Sequence, residues 1–325
     1  MKNNNKKIII GLLLSLICGT AMAQTWDMPT PYGDGNHPTQ IALEFAKEVE
    51  ERTNGQFTIN VHSGGSLIKH PEIPRSVKTG RVSIGEIFIG RMGNTHPIFK
   101  VDNIPFLATD YDAAEKLYSV SKVELEKQLA KENMLLLYTV AWPAQSLYAK
   151  KEINSLEDVR GIKMRAYSPT TSRLADLMGS LPVNVPFGEI AQAFSTNLID
   201  AMITSPSTGV NGKSWDYSSH YSDIKAWIPK NMVVVNRKAF EKLGEQEQKA
   251  LLGAAANAQA KGWKIVRQKA NEHTEILRKN GMQVSRPSLD LLEELRGIGH
   301  TMTQEWVKET GQVGDEIIGL FRQCG

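Results

Sequence analysis

The chain has 325 residues, 41% of them apolar, with 38 basic and 35 acidic side chains and a formal charge of +3. This is ample material for a core, and the length suits two domains. Near-neutral charge excludes a basic nucleic-acid or membrane-surface protein, and two cysteines, Cys18 and Cys324, exclude a disulfide framework.

Lys2, Lys6 and Lys7 precede an apolar run, Ile8–Cys18, and Ala21-Met22-Ala23 follows it. A basic region, a short hydrophobic region and an A-x-A site read as a signal peptide. The run is too short for the ~20 residues of a membrane span. The expectation is periplasmic export with cleavage after Ala23. A lipid anchor on Cys18 is the poorer alternative, since Ser15, Leu16 and Ile17 make a poor lipobox. Loss of residues 1–23 removes three lysines and no acid, leaving 302 residues with 35 charges of each sign and no possible intrachain disulfide.

Asn36 to Gly55 reads as a helix. Pro38 stands in its first turn, Ile41, Ala42, Phe45 and Val49 form one face, and Gly55 sits at the C-terminal cap. The alternation of Phe57, Ile59 and Val61 predicts a strand. A short helix over Pro71–Gly80, a strand over Ser83–Ile89 and a helix over Tyr111–Ala130 follow. Met134–Trp142 is almost unbroken apolar, as a central parallel strand buried on both faces would be. Strands alternating with helices give an α/β class with mostly parallel sheets.

A second set of units begins near Pro143. Ile162, Met164 and Ala166 alternate with Lys163, Arg165 and Tyr167, a half-buried strand. A helix over Pro169–Met178 follows, so Arg165 and Tyr167 stand near the strand's carboxyl end, where open α/β folds bind ligands. A guanidinium there offers a rigid fork that fits a carboxylate. Next come a strand over Leu181–Val185, a helix over Phe187–Asn197 and a strand over Ala201–Thr204. Lys225–Asn236 is apolar and recrosses to the first domain. Glu245–Asn280 lacks proline and suits a long helix, with Gly253 and Gly262 as places where it could bend.

Enzyme-like motifs do not survive inspection. Gly212-Lys213-Ser214 imitates the end of a P-loop, but Ser207 stands where the first glycine is required. Ser119–Lys122 and Lys78-Thr79-Gly80 share the vocabulary of penicillin-binding enzymes in the wrong order. There is no G-x-S-x-G, and the seven histidines show no helical metal spacing, so neither a metal nor another cofactor is expected.

Three further motifs occur in order: Asp158, Gly161, Lys163 and Arg165; Pro186, Phe187 and Glu189; then Ala193-Phe194, Thr196 and Asp200. With TWDMPTPYGDGNHPT near the start and MVVVNRKAFEKL later, this series resembles the DctP-type solute-binding subunits of tripartite ATP-independent periplasmic (TRAP) transporters. The resemblance covers nearly all of the chain after Ala23. It implies a two-lobed, type II-like periplasmic binding protein whose long helix spans both lobes. Lobe I would comprise 24–142 and about 231–270, and lobe II 143–230 and about 271–325. The protein would be a monomer, would capture a small organic monocarboxylate between its two lobes without turnover, and would deliver it to TRAP membrane subunits. A receptor for a sensor kinase or chemoreceptor is the alternative, and a periplasmic hydrolase a more distant one.

By this resemblance Arg165 grips the ligand carboxylate. Thr204 and Ser205 stand where sialate-binding relatives carry an asparagine, so those relatives' ligand does not transfer. Phe187 lines the family cleft. Trp142 is a wall or hinge residue, Gln145 a polar contact and Tyr167 an aromatic neighbour. Glu86, Phe88 and Arg91 close the first domain's side, and His37 at a helix start offers a donor. The aromatic candidates and the WDMPTPY and ITSPSTG segments resemble a branch that takes small cyclic acids such as pyroglutamate; aromatic and short 2-oxo acids compete.

Overall fold

The computed structural model describes residues 24–323. The signal segment and Cys324 lie outside the described residues. In the first lobe the chain runs β1 (Gln24–Pro29), α1 (His37–Arg52), β2 (Phe57–His62), α2 (Ile73–Lys78), β3 (Ile84–Phe88), α3 (Tyr111–Lys131) and β4 (Met134–Ala141). It then enters the second lobe with β5 (Ser146–Ala149), β6 (Lys163–Ala166), α4 (Pro169–Leu177), β7 (Leu181–Asn184), α5 (Ile190–Ser195), β8 (Ala201–Thr204), α6 (Pro206–Asn211) and β9 (His220–Ser222). It returns as β10 (Lys230–Asn236) and continues through α7 (Arg237–Glu241), α8 (Glu245–Lys279), β11 (Gln283–Ser285), α9 (Leu289–Thr310) and α10 (Gln312–Gln323).

Helix α1 forms as its sequence asks. Pro38 occupies the first turn, and Ile41, Ala42, Phe45 and Val49 are buried. Gly55 takes a left-handed φ of 77°, which lets its N–H reach the Glu50 carbonyl at 2.9 Å. Helices α4 and α6 are each capped by a serine and opened by a proline. Ser168 Oγ accepts from the Thr171 N–H at 3.2 Å, and Ser205 Oγ from the Thr208 N–H at 3.0 Å. Ser205 follows β8 directly and Ser168 stands one residue past β6, so each strand turns sharply into a helix.

The sheets have the orders β1-β2, β3-β10-β4 and β11-β9-β5-β8-β6-β7. Every antiparallel ladder involves β5 or β10, the strands that follow the two crossings between lobes; the remaining ladders are parallel. This corrects the reading of Met134–Trp142 as a central parallel strand. β4 stands at the end of its sheet and pairs antiparallel with β10. It is apolar throughout because α8 and α3 both pack against it, and helices rather than neighbouring strands remove it from water. The Arg165 strand is likewise buried on both faces, with Arg165 itself only 5% exposed.

The crossings lie side by side. Trp142 N–H donates to the Pro229 carbonyl, Gln145 N–H to Trp227, and Ala226 N–H to Gln145, all within 2.9 Å. The two connecting segments thus form one ribbon between the lobes. Helix α8 is a third link, packing on α1 and β4 in the first lobe and on α6 and β11 in the second. Helices α9 and α10 also reach both, touching α3 on one side and α4 on the other.

The first lobe holds a carboxyl group in its interior. Glu86 on β3 is 1% exposed; its Oε1 accepts from Asn231 Nδ2 at 2.7 Å and its Oε2 has no partner. Burial raises its pKa from the ordinary 4.5 to about 7, against the opposing effect of the Asn231 bond. Between those values the folded protein holds a proton that the unfolded chain has released. The stability this group contributes is therefore complete below about pH 4.5 and is lost as pH rises through about 7. Glu86→Gln keeps the acceptor for Asn231 and removes the titration. Its stability relative to wild type is expected to rise, by on the order of 2–3 kcal/mol, between about pH 5 and about pH 8. Melting curves of both proteins across that range check this, and a pH-independent difference would show that Glu86 does not titrate there.

Candidate functional site

The second lobe supplies a guanidinium. Strands β6 and β8 run parallel, with Arg165 and Thr204 near their carboxyl ends. Arg165 Nε donates to the Val185 carbonyl at 3.0 Å, and the guanidinium lies 4.7 Å over the Tyr167 ring. Tyr167 is fixed in turn, its hydroxyl donating to Gln145 Oε1 at 3.0 Å, while Gln145 Nε2 donates to the Pro143 carbonyl at 2.8 Å. Burial lowers the Arg165 pKa to about 10, with nearby tyrosines opposing, so the group stays charged. Among the described residues no carboxylate pairs with it.

Around this charge lies a cavity of about 40 Å³. Arg165, Tyr167, Phe187, Thr204 and Ser205 line it from the second lobe. Phe88 and Arg91 face it from the first, and Trp142, Gln145 and Pro229 from the connecting ribbon. Apart from Pro229, these are nine of the expected residues, and the structure brings them together around one cavity. No aspartate or glutamate is among the lining residues.

The lobes touch across this space. Tyr32 meets Phe187 edge-on at 5.1 Å between centroids, and Phe88 meets Tyr167 at 5.4 Å. Arg91 Nη1 donates to the Tyr167 carbonyl at 3.4 Å, and Asn211 Nδ2 donates to Asn36 Oδ1 at 2.6 Å. Burial lowers the Arg91 pKa as well.

Two expected residues stand behind the wall instead of on it. Glu86 lies one pleat deeper than Phe88 along β3 and points at Asn231, which also accepts the Trp142 indole N–H at 2.9 Å. His37 packs its ring 5.0 Å from Trp142 and turns Nε2 to the Ala141 carbonyl at 2.9 Å. Burial lowers its pKa to about 4, so it is neutral near pH 7. Both buttress Trp142 and do not reach the cavity.

Tyr32, His70, Pro186, Thr208 and Pro229 line the cavity without having been expected there. Tyr32 and His70 sit in irregular segments where no periodicity fixes a direction. The nearest signal was the aromatic Tyr32 within the PTPYGDG turn.

Comparison with known proteins agrees with this architecture. The sequence model of the family described as bacterial extracellular solute-binding protein, family 7 (DctP), matches residues 32–309. DctP7 of Bordetella pertussis, an extracytoplasmic solute receptor binding pyroglutamic acid, is 41% identical in sequence; the match covers 93% of this chain and all of that one, with a TM-score of 0.91. A marine metagenome TRAP solute-binding protein specific for pyroglutamate is 38% identical over 93% of this chain and 99% of its own, also at 0.91. The sialic acid-binding periplasmic protein SiaP of Vibrio cholerae is 22% identical over 297 residues, 90% of this chain and 92% of its own. A two-lobed α/β fold with crossing strands and a long shared helix thus goes with a family match over most of the sequence. The chain belongs to the DctP family of bacterial extracellular solute-binding proteins and is a solute receptor of the TRAP type.

Proposed function

We propose that this receptor captures a compact cyclic monocarboxylate, with pyroglutamate as the leading candidate, and presents it to TRAP membrane subunits. The observation that carries the reading is Arg165, a buried guanidinium on the wall of an aromatic cavity with no carboxylate partner among the described residues. With Nε held by Val185, its terminal nitrogens are left for a bidentate carboxylate. The cavity suits a small flat ring between Trp142, Tyr167, Phe187 and Phe88, with Thr204, Ser205 and Gln145 at its polar margin. The pyroglutamate-binding relatives add weight to this choice over aromatic and 2-oxo acids.

Charge narrows the class. Arg165 and Arg91 both line the cavity, and no carboxylate does. A ligand ammonium would enter with two cations and no counter-ion, so zwitterions such as proline are disfavoured against a lactam acid of the same shape. Glu86, behind the wall, is half protonated near neutral pH and offers little compensation.

The route matches that reading: export, cleavage after Ala23, and function in the periplasm. The ribbon at Trp142–Gln145 and Ala226–Pro229 serves as the hinge between a first lobe of 24–142 and about 231–270 and a second of 143–230 and about 271–325. Closure takes the Arg165–carboxylate pair out of water and strengthens it.

In a thermal-shift screen of the protein from Gln24, pyroglutamate at 100-fold over its Kd should add ~2.7 kcal/mol of stability. Its amide and proline should leave the melting temperature unchanged. Equal stabilisation by acid and amide would remove the carboxylate grip from the reading. Calorimetry on Arg165→Ala should show a loss of ~3–5 kcal/mol, roughly 10²–10⁴ in Kd. Arg165→Lys should also bind poorly, because an ammonium lacks the fork; near-wild-type affinity in both variants would rule Arg165 out as the anchor.

A further inference from the structure

His70 is among the residues lining the cavity, and one of its ring nitrogens is unsatisfied. His70 opens the short turn before α2 with its side chain half-buried, yet its Nε2 is fully enclosed and makes no hydrogen bond among the described residues. The ring stands edge-on to Tyr32, with centroids 5.8 Å apart. A buried ring nitrogen without a partner is unfavourable unless something that enters the cavity satisfies it.

Most other uncharged donors are already engaged. Trp142 Nε1 serves Asn231, Gln145 Nε2 serves the Pro143 carbonyl, and the Tyr167 hydroxyl serves Gln145. The Ser205 and Thr208 hydroxyls bond each other at 3.1 Å. That pair uses one of its two hydroxyl hydrogens, so the second lobe keeps the other and the Thr204 hydroxyl as donors; on the first lobe the Tyr32 hydroxyl is directed to Asn231 Oδ1 at 3.4 Å, and His70 Nε2 is the uncharged group left without a partner. Acceptors are plentiful by comparison, since each engaged hydroxyl keeps a lone pair. Burial, and then the charges of Arg91 and Arg165, hold the His70 pKa down to about 3. The imidazole is therefore neutral at working pH and does not add a third cation.

We propose that His70, as its Nε2–H tautomer, donates to a carbonyl oxygen on the ligand ring and so selects oxo-substituted cyclic acids over plain ones. The inference rests on the receptor reading above and adds the second point of recognition, since Arg165 alone would accept any small carboxylate.

Three acids separate the roles: pyroglutamate, the lactone acid in which oxygen replaces its ring N–H, and cyclopentanecarboxylate. Wild type should prefer the first two. His70→Leu should weaken those two by about 10–100-fold and change the third by less than about 3-fold. His70→Gln, which supplies an amide N–H, should recover part of the loss. Nitrogen NMR of the wild type should show the His70 Nε2 resonance move on saturation with either carbonyl acid and stay still with cyclopentanecarboxylate. Equal loss for all three acids, or an Nε2 resonance indifferent to pyroglutamate, overturns the His70 role while leaving the receptor intact. If the wild type binds none of the acids, the receptor reading fails and this inference fails with it.

Discussion

A guanidinium taken out of water, with no carboxylate among the described residues to meet it, is the constraint around which this protein is arranged. Removing a charge from solvent is costly unless dipoles and π-faces replace the lost hydration. Arg165 obtains partial replacement from the Val185 carbonyl and the face of Tyr167. Each substitute needs a support of its own. Val185 is held because its N–H donates to the Ala166 carbonyl where β6 and β7 run parallel, and Tyr167 because Gln145 receives its hydroxyl. The chain from Gln145 through Tyr167 to Arg165 ties the hinge ribbon to the charge it helps to orient.

That tie makes binding and lobe geometry one problem. Trp142, Gln145 and Pro229 line the cavity and also belong to the ribbon joining the lobes. Behind them a second row, Glu86, Asn231 and His37, holds Trp142 by its indole N–H and its ring edge. A ligand that pressed on Trp142 would therefore press on the ribbon between the lobes. The buried ion pair of Lys230 and Asp102, at 3.3 Å, anchors the far end of the same ribbon, where β10 begins.

Much of this was legible in the sequence, for identifiable reasons. Period-2 and helical patterns located the elements, and the strand carrying Arg165 was visible because a cation interrupts an apolar alternation beside a proline-started helix. Local pattern does not reveal which strands become neighbours. β4 looked central because helices cover both of its faces, which periodicity cannot distinguish from strands on either side. Glu86 and Phe88 share one face of β3, yet only the residue at the strand's end reaches the cavity; the intervening pleat, about 6.6 Å, decides it. His37 carried the right chemistry at a helix start but is turned toward a backbone carbonyl. Tyr32 and His70 lie in segments whose direction is set entirely by contacts distant in sequence.

Helix α8 extends for 35 residues, about 52 Å, and rests on both lobes without a break in its hydrogen bonding. Two lobes joined only by a flexible ribbon would swing freely. A continuous rod clamped at both ends behaves as a leaf spring instead: parting the lobes must flex it or slide it over one of its seats. Any opening of the lobes would therefore be resisted by a helix that contributes no residue to the cavity lining.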